Sequence, residues 1–333
     1  MIRTAGGKAN SNELGFGHIF RSLNLADQFK HQKIYFLIED YGGVKKISVE
    51  RGYTKIFSLK KDLPLKQQLV RTNSLLKKEK IDLIIIDRYK VKKSYVKQIS
   101  KNVKTVVISD LYKLDFEANL LVNGFIGYKN KIFKNKYGTR CLVGPDFQIV
   151  DQKFSKRGKN VGGNFNILAT FGGSDKKNIM KIFVKCLKKN ICRLNVKLIL
   201  GYVNKKNSNL LLLEKKHSRN LKIIKKTHDM HKEMLKCNFG FCSGGITCYE
   251  FAAMGIPFAI ISQVKHQLIS ANEWQKKGLA INLGIPSKKL EKKLKKMLDN
   301  LAEGKKIIKG NYAIVDGKGS MRVTREALKL LEK

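Results

Sequence analysis

Three glycine-bearing segments hold the residues best suited to chemistry. The first is Gly15-Phe16-Gly17-His18-Ile19-Phe20-Arg21, a G-x-G turn running into a helical pattern. Such a turn exposes backbone N–H groups, and a helix start carries about half a positive charge, so both favour an anion. His18 falls in the first turn. The positive end of a helix disfavours an imidazolium, so His18 is expected to be neutral and able to accept a proton. Arg21 is three residues on, shares that face, and can hold an acidic group beside the imidazole. A lone G-x-G is common in unrelated loops, where the histidine would only cap the turn, so the reading depends on companion segments.

The second segment is Phe171-Gly172-Gly173-Ser174-Asp175. Two glycines after an apolar strand let a ligand approach the backbone at the strand's carboxyl end, where open α/β sheets bind. An ordinary turn with Ser174 or Asp175 as helix cap is the competing reading. The third is Ser243-Gly244-Gly245-Ile246-Thr247, with Glu250 one turn further along the same helix. Glycines flanked by hydroxyls at a helix start suit a diphosphate. A carboxylate at Glu250 is placed to accept both hydroxyls of a ribose. Gln267 and Asn272 follow the next strand and would add polar lining.

Further candidates lie at strand ends. Asp87 and Tyr89 stand at the carboxyl end of residues 81–87, IDLIIID. Asp110 and Asn123 close later segments, and Asp110 reads best as a cap or turn residue. His228 and His231 are three apart but lack a third ligand, so they read as surface helix and no metal is expected. Cys141, Cys186, Cys192, Cys237, Cys242 and Cys248 form no C-x-x-C pair. They read as reduced thiols of a cytoplasmic protein, not as a disulfide framework or zinc site. No cofactor is called for.

The elements that must carry these residues alternate. Residues 15–30 read helical, 33–39 and 53–59 as strands, and 65–80 as a helix with Leu69, Leu75 and Leu76 apolar. The uninterrupted IDLIIID run is how a strand buried on both faces reads. Residues 91–101 are helical and 104–109 form the next strand. Met1-Ile2-Arg3 leaves little room before the glycine-rich loop, so a first strand is very short or the chain begins upstream. Residues 129–163 are irregular and rich in Lys, Gly and Asn, which places the inter-domain connection there. The pattern then restarts. Strands are expected at 166–171, 194–201, 221–224, 238–242 and 257–262, with helices between and a lysine-rich helical tail from Lys288. Alternation of this kind gives a parallel sheet flanked by helices. The chain of 333 residues is long enough for two such domains. The expected boundaries are residues 1–155 and 165–333.

The net charge of +42 is extreme. Read alone, it suits a polyanion partner. Lysines are spread over every segment, which reads as composition and not as a nucleic-acid surface. Some attraction to anionic membrane follows, and the basic tail would suit it. No run of about 18 apolar residues occurs, so neither a membrane span nor a signal peptide is expected. The protein is expected to be a monomer.

Taken in order, several segments resemble one known group. These are Gly15-x-Gly17-His18-x-x-Arg21 with Leu25-Ala26, Ile86-Asp87-x-Tyr89, Leu142-Val143-Gly144-Pro145-Asp146, Phe171-Gly172-Gly173-x-Asp175 and Ser243-Gly244-Gly245-x-Thr247-x-x-Glu250. They are similar to the UDP-sugar hydrolases of pseudaminic acid biosynthesis and to spore-coat polysaccharide proteins regarded as glycosyltransferases. Both groups share the GT-B fold of the peptidoglycan N-acetylglucosaminyltransferase, an α/β architecture of two facing Rossmann-like domains with a cleft between them. The resemblance implies hydrolysis of UDP-2,4-diacetamido-2,4,6-trideoxy-β-L-altropyranose or a similar UDP-linked amino sugar, with inversion and without a metal. It makes His18 the base that activates water, with Asp87 and Tyr89 beside it. Gly17, Arg21, Gly172, Gly173, Ser243, Gly244, Gly245, Thr247, Glu250 and Gln267 then become substrate-binding. The Ser243 loop takes the phosphates and Glu250 the ribose. The alternative is an inverting glycosyltransferase with the same donor. The sequence departs from the group after Arg3, where Thr4-Ala5-Gly6-Gly7-Lys8 replaces its usual Asp or Ser cluster, and at Arg88 and Lys90 around Tyr89.

Overall fold

The protein is described from a computed structural model, over residues 1–7, 15–88, 90–156, 165–173, 175, 177–201, 208–227, 229–305, 307–308 and 314–332. Two compact units divide the chain. One comprises Met1–Gln152 with Gly317–Lys333, the other Lys153–Asp316.

In the first unit the strands are β1 (Ile2–Gly6), β2 (Phe36–Asp40), β3 (Ile56–Leu59), β4 (Leu83–Asp87), β5 (Lys104–Ile108), β6 (Leu120–Asn123), β7 (Lys131–Lys134) and β8 (Arg140–Val143). The helices between them are α1 (Gly17–Ala26), α2 (Val44–Glu50), α3 (Leu65–Lys78) and α4 (Lys93–Ser100). Strand order is β3-β2-β1-β4-β5-β6-β8-β7. All pairings are parallel except β7 with β8. β4 is buried at every residue, as its continuous apolar run requires of a central strand covered on both faces. Leu37, Ile84, Ile86, Val107 and Leu121 pack one face against Leu76, Tyr95, Val96 and Ile99 of α3 and α4. The chain winds outward through β2 and β3 and then returns to start β4 beside β1. The order therefore reverses between β1 and β4, the point where open α/β sheets leave a crevice beyond their strand ends.

The second unit repeats the scheme. Its strands are β9 (Asn166–Thr170), β10 (Asn195–Ile199), β11 (Leu221–Ile224), β12 (Phe239–Cys242), β13 (Phe258–Ile261) and β14 (Ala280–Gly284). Its helices are α5 (Ile179–Leu187), α6 (Ser208–Lys216), α7 (Met230–Met234), α8 (Thr247–Ala253), α9 (Lys265–Lys276) and α10 (Lys288–Ala302). The sheet is parallel throughout, in the order β11-β10-β9-β12-β13-β14, and its reversal falls between β9 and β12.

Three expectations change. The last helix, α11 (Gly319–Leu328), belongs to the first unit, so the second unit does not run to residue 333. Val323 and Ala327 are buried, Arg140 Nη2 donates to Glu326 Oε2 at 3.0 Å, and Ser320 Oγ donates to the Val150 carbonyl at 3.1 Å. The tail from Lys288 is thus two helices with separate attachments. The stretch expected to be a connection holds the β7–β8 hairpin, and the units part only at Gln152. The first strand is five residues long, with every residue buried. No helix among the described residues is long and apolar enough to cross a membrane.

Candidate active site

In the first unit, α1 follows β1 and Asp87 ends β4, so the two meet at the switch point of the sheet. Asp87 is completely buried. One of its oxygens, Oδ1, lies 2.7 Å from His18 Nδ1 and accepts from Arg21 Nη2 at 2.5 Å. The other, Oδ2, accepts from Arg21 Nε at 2.8 Å and from Ser22 Oγ at 3.4 Å. Arg21 also donates from Nη1 to Asp110 Oδ1 at 2.6 Å. His18, Arg21 and Ser22 reach one carboxylate because they share one and a third turns of α1.

The electrostatics of this cluster are one-sided. Burial by itself would push the Asp87 carboxyl up, but Arg21 and then His18 outweigh it and hold it far below the usual carboxylate range. Asp110, whose side chain is half-exposed, is lowered by the same two residues against its own desolvation. Desolvation of Arg21 is likewise overcome by Asp110 and Asp87, so its guanidinium stays charged. Asp87 is therefore a fixed anion with its lone pairs occupied. It can orient His18 but is a poor proton acceptor. Nδ1 is directed at Asp87, with Arg21 Nη2 3.1 Å away, and a carboxylate on Nδ1 is the arrangement that orients a histidine base through Nε2.

Asp110 was expected to be a cap or turn residue, and the structure makes it the second counter-ion of Arg21. It lies 89 positions from Arg21 in sequence, so no local spacing could reveal the pair. The usable signal was parallel order: β5 lies beside β4, so Asp110 had to emerge near Asp87. A second buried network, missed from sequence, lies at the ends of β1 and β2. There Glu39 accepts from Arg3 at 2.6 Å and from Arg88 at 2.9 Å, and the Arg3 guanidinium stacks over Tyr95 at 4.1 Å. Asn123 is a turn residue, accepting from the Phe125 N–H and donating to the Leu111 carbonyl. Tyr89 and Ser174 lie outside the described residues, as does His228. Among the described residues no group of histidines, cysteines and carboxylates is arranged to hold a metal.

In the second unit, Gly172 follows β9 and Ser243 follows β12, again at the switch point. Gly172 has φ +80, and a side chain there would meet Ser243 Oγ at 3.5 Å. Gly244 lies against Gln267, whose Cβ would come within 2.9 Å of any added Cβ. Gln267 Oε1 accepts from the Gln263 N–H at 2.8 Å, and Gln263 Nε2 donates to the Phe171 carbonyl at 2.7 Å. Gly172, Ser243, Gly244 and Gln267 are thus brought together, and Gln263, not singled out from sequence, ties their loops. Gly173 stands beside Gly201, Gly245 is exposed, and Thr247 and Glu250 are half-buried in α8. Asp175 serves the turn itself: its carboxylate accepts from the Ile179 and Met180 N–H groups at 2.8 and 2.7 Å, capping α5.

Two doubly wound parallel sheets in one chain, each with its polar loops at the reversal of strand order, define the protein as one of the GT-B fold class. The comparisons agree. The chain aligns with the crystal structure of MurG from Acinetobacter baumannii over 98% of its own length and 99% of that chain, with a TM-score of 0.63 and 13% identity. Residues 167–313 match the glycosyltransferase family 28 C-terminal domain. The chain is 25% identical over 325 residues to the spore coat polysaccharide biosynthesis protein SpsG of Bacillus subtilis, covering 94% of each. It is 24% identical over 279 residues to the UDP-2,4-diacetamido-2,4,6-trideoxy-β-L-altropyranose hydrolase of Campylobacter jejuni, covering 82% of this chain and 96% of that one. The resemblance read from the motifs holds.

Proposed function

We propose that the protein is a nucleotide-sugar hydrolase, releasing UDP and a free amino sugar from a UDP-linked donor. The observation that carries this reading is the His18–Asp87–Arg21 cluster, a histidine oriented by a buried carboxylate that is itself pinned by an arginine. His18 Nε2 takes a proton from water as the water oxygen bonds to the anomeric carbon. The bond from that carbon to the diphosphate oxygen breaks, and the electron pair leaves with UDP. The loop at Ser243 and Gly244 holds the diphosphate through backbone N–H groups, the Gly245 N–H being turned to the Ser243 carbonyl at 2.7 Å, and stabilises the charge that builds there. Thr247 adds a hydroxyl, Glu250 holds the ribose and Gln267 shapes the loop. The similarity to the Campylobacter hydrolase supports this chemistry.

A glycosyltransferase is the second reading, favoured by the family 28 match and the similarity to SpsG. The base and donor site would be the same, with an acceptor hydroxyl in place of water. Incubation with UDP-sugars alone separates the two, because a hydrolase frees sugar and UDP at catalytic rates and a transferase does not. His18→Ala should lose about 10²–10⁴ in turnover, the range for removing a general base, while UDP binding measured by calorimetry persists. Normal turnover in that variant would overturn the assignment.

A further inference from the structure

The basic charge is not spread evenly over the folded surface. α10 has buried Leu290, Leu294, Met297, Leu298 and Leu301 along one stripe. At about 100° per residue, Lys288, Lys289, Lys292, Lys293, Lys295 and Lys296 fall on the remaining outer arc, and all six are exposed. Six of the 15 residues of α10 are lysine, against 68 basic residues in the 333 of the chain. α5 lies alongside. Lys185 Nζ donates to Glu291 Oε2 at 2.9 Å, and Asn190 Nδ2 donates to Asp299 Oδ1 at 2.7 Å. Lys181, Lys185, Lys188 and Lys189 extend the same surface and are also exposed. The only acids on α10, Glu291 and Asp299, are taken up by α5 and the residues just after it.

The geometry points to this two-helix face as a docking surface for an anionic phospholipid bilayer. Its character argues against base-reading contacts with a nucleic acid. Neither helix contains an arginine, and none of the exposed large hydrophobic residues among the described residues lies on either one. Reading of bases depends on arginine forks and aromatic stacking. Lysine point charges on a smooth helical surface suit a diffuse sheet of anionic headgroups, each lysine adding to the attraction within a Debye length. With no apolar anchor, attachment is purely electrostatic and reversible by salt.

The test is co-sedimentation of the full chain with vesicles of phosphatidylcholine alone, or containing about 30% phosphatidylglycerol, at about 50 and about 300 mM salt. The protein should bind the anionic vesicles at low salt at least about tenfold better than neutral ones, and come off at high salt. Lys289→Glu, Lys292→Glu, Lys293→Glu and Lys296→Glu together should lose about tenfold or more of that binding. A charge-matched control carrying Lys45→Glu, Lys46→Glu, Lys60→Glu and Lys66→Glu, all exposed positions of the first unit, should keep it within about twofold. Circular dichroism checks that both variants are folded, and Gln in place of Glu at the α10 positions gives a milder second series. Equal loss in the control would make the binding an effect of bulk charge and overturn the proposal. So would equal binding to neutral vesicles, or capture of single-stranded RNA by this face in preference to vesicles.

Discussion

Replacing Asp87 by Asn removes one charge and keeps the side chain's shape. Both carboxylate oxygens are occupied by donors: His18 and Arg21 Nη2 on one, Arg21 Nε and Ser22 on the other. An amide must turn its NH2 toward one of these pairs. Facing Arg21 Nε, it sets donor against donor at a position now 2.8 Å apart in a site closed to water. Facing His18, it makes Nδ1 an acceptor and moves the ring proton to Nε2, where it blocks acceptance from water. The second choice opposes Arg21 Nη2 instead, but Nη2 keeps acceptors at Asp110 Oδ2, 3.3 Å away, and at the deprotonated Nδ1, 3.1 Å away, while the Nε bond is retained. The wrong tautomer costs about 10³–10⁴ in kcat, or roughly 4–5.5 kcal/mol of barrier, when the histidine is the base. Stability falls by about 2–4 kcal/mol, less than for a wholly unpaired buried charge, because Asp110 still balances Arg21. The assay is UDP release from the cognate donor under saturating conditions, with urea midpoints from a probe in the first unit. KM should move little. A folded Asp87→Asn variant with kcat within about threefold of the parent would refute the orientation argument, since a tautomer change at the base cannot be so mild.

Three further outcomes follow. Both Asp87 and Asp110 are lowered in the folded state, so the unfolded chain binds more protons below the usual carboxylate range and stability rises with pH there. The contribution is complete above about pH 4 and is lost as pH falls toward the folded values, so the urea midpoint of the first unit should drop more steeply below pH 4 in the parent than in Asp87→Asn. Gly244→Ala drives a Cβ against Gln267, at 2.9 Å from its Cβ and 3.0 Å from its carbonyl oxygen. It should weaken UDP binding by about tenfold, read by calorimetry, while leaving His18 chemistry intact at saturating donor. Among the cysteines, Cys192 is exposed, whereas burial pushes Cys242 well above its ordinary range and Cys237 up to about 12. A thiol reagent at pH 8 should therefore label Cys192 within minutes and the other two only on unfolding.

The parts of the fold legible in the sequence are those whose signal is local. IDLIIID announces a central strand because a strand covered on both faces needs an unbroken apolar run, and that run places Asp87 at a carboxyl end. Val44–Glu50 was unread as a helix because seven residues give too little periodicity. The β7–β8 hairpin reads as part of a connection because its first strand, KIFK, is almost wholly exposed and carries no buried alternation. The reach of α11 back to the first unit is set by contacts to Arg140, Asp146 and Val150, more than 160 residues upstream, and no window of sequence contains them. Within the site, Gly-x-Gly-His-x-x-Arg was readable as one helix face. Asp87 was set beside His18 by the resemblance, but Asp110, the second partner of Arg21, was not readable, because it arrives after another strand.

The charge of the first-unit cluster also argues for a division of labour between the halves of the chain. Arg21 carries one positive charge against the two negative charges of Asp87 and Asp110, so before His18 takes up a proton the group sums to minus one. Taking the proton of water brings it to zero. A cluster with that balance suits a base and repels a pyrophosphate. The diphosphate therefore needs another home. On the proposed function that home is the loop at Ser243 and Gly244, beside Gly172 and Gln267, and the nearby carboxylate of Asp175 is already spent on the first turn of α5. On the proposed function, these two local charge patterns suit the first unit to the proton and the second to the nucleotide. Variants in the first should alter kcat with unchanged UDP affinity, and variants in the second the reverse.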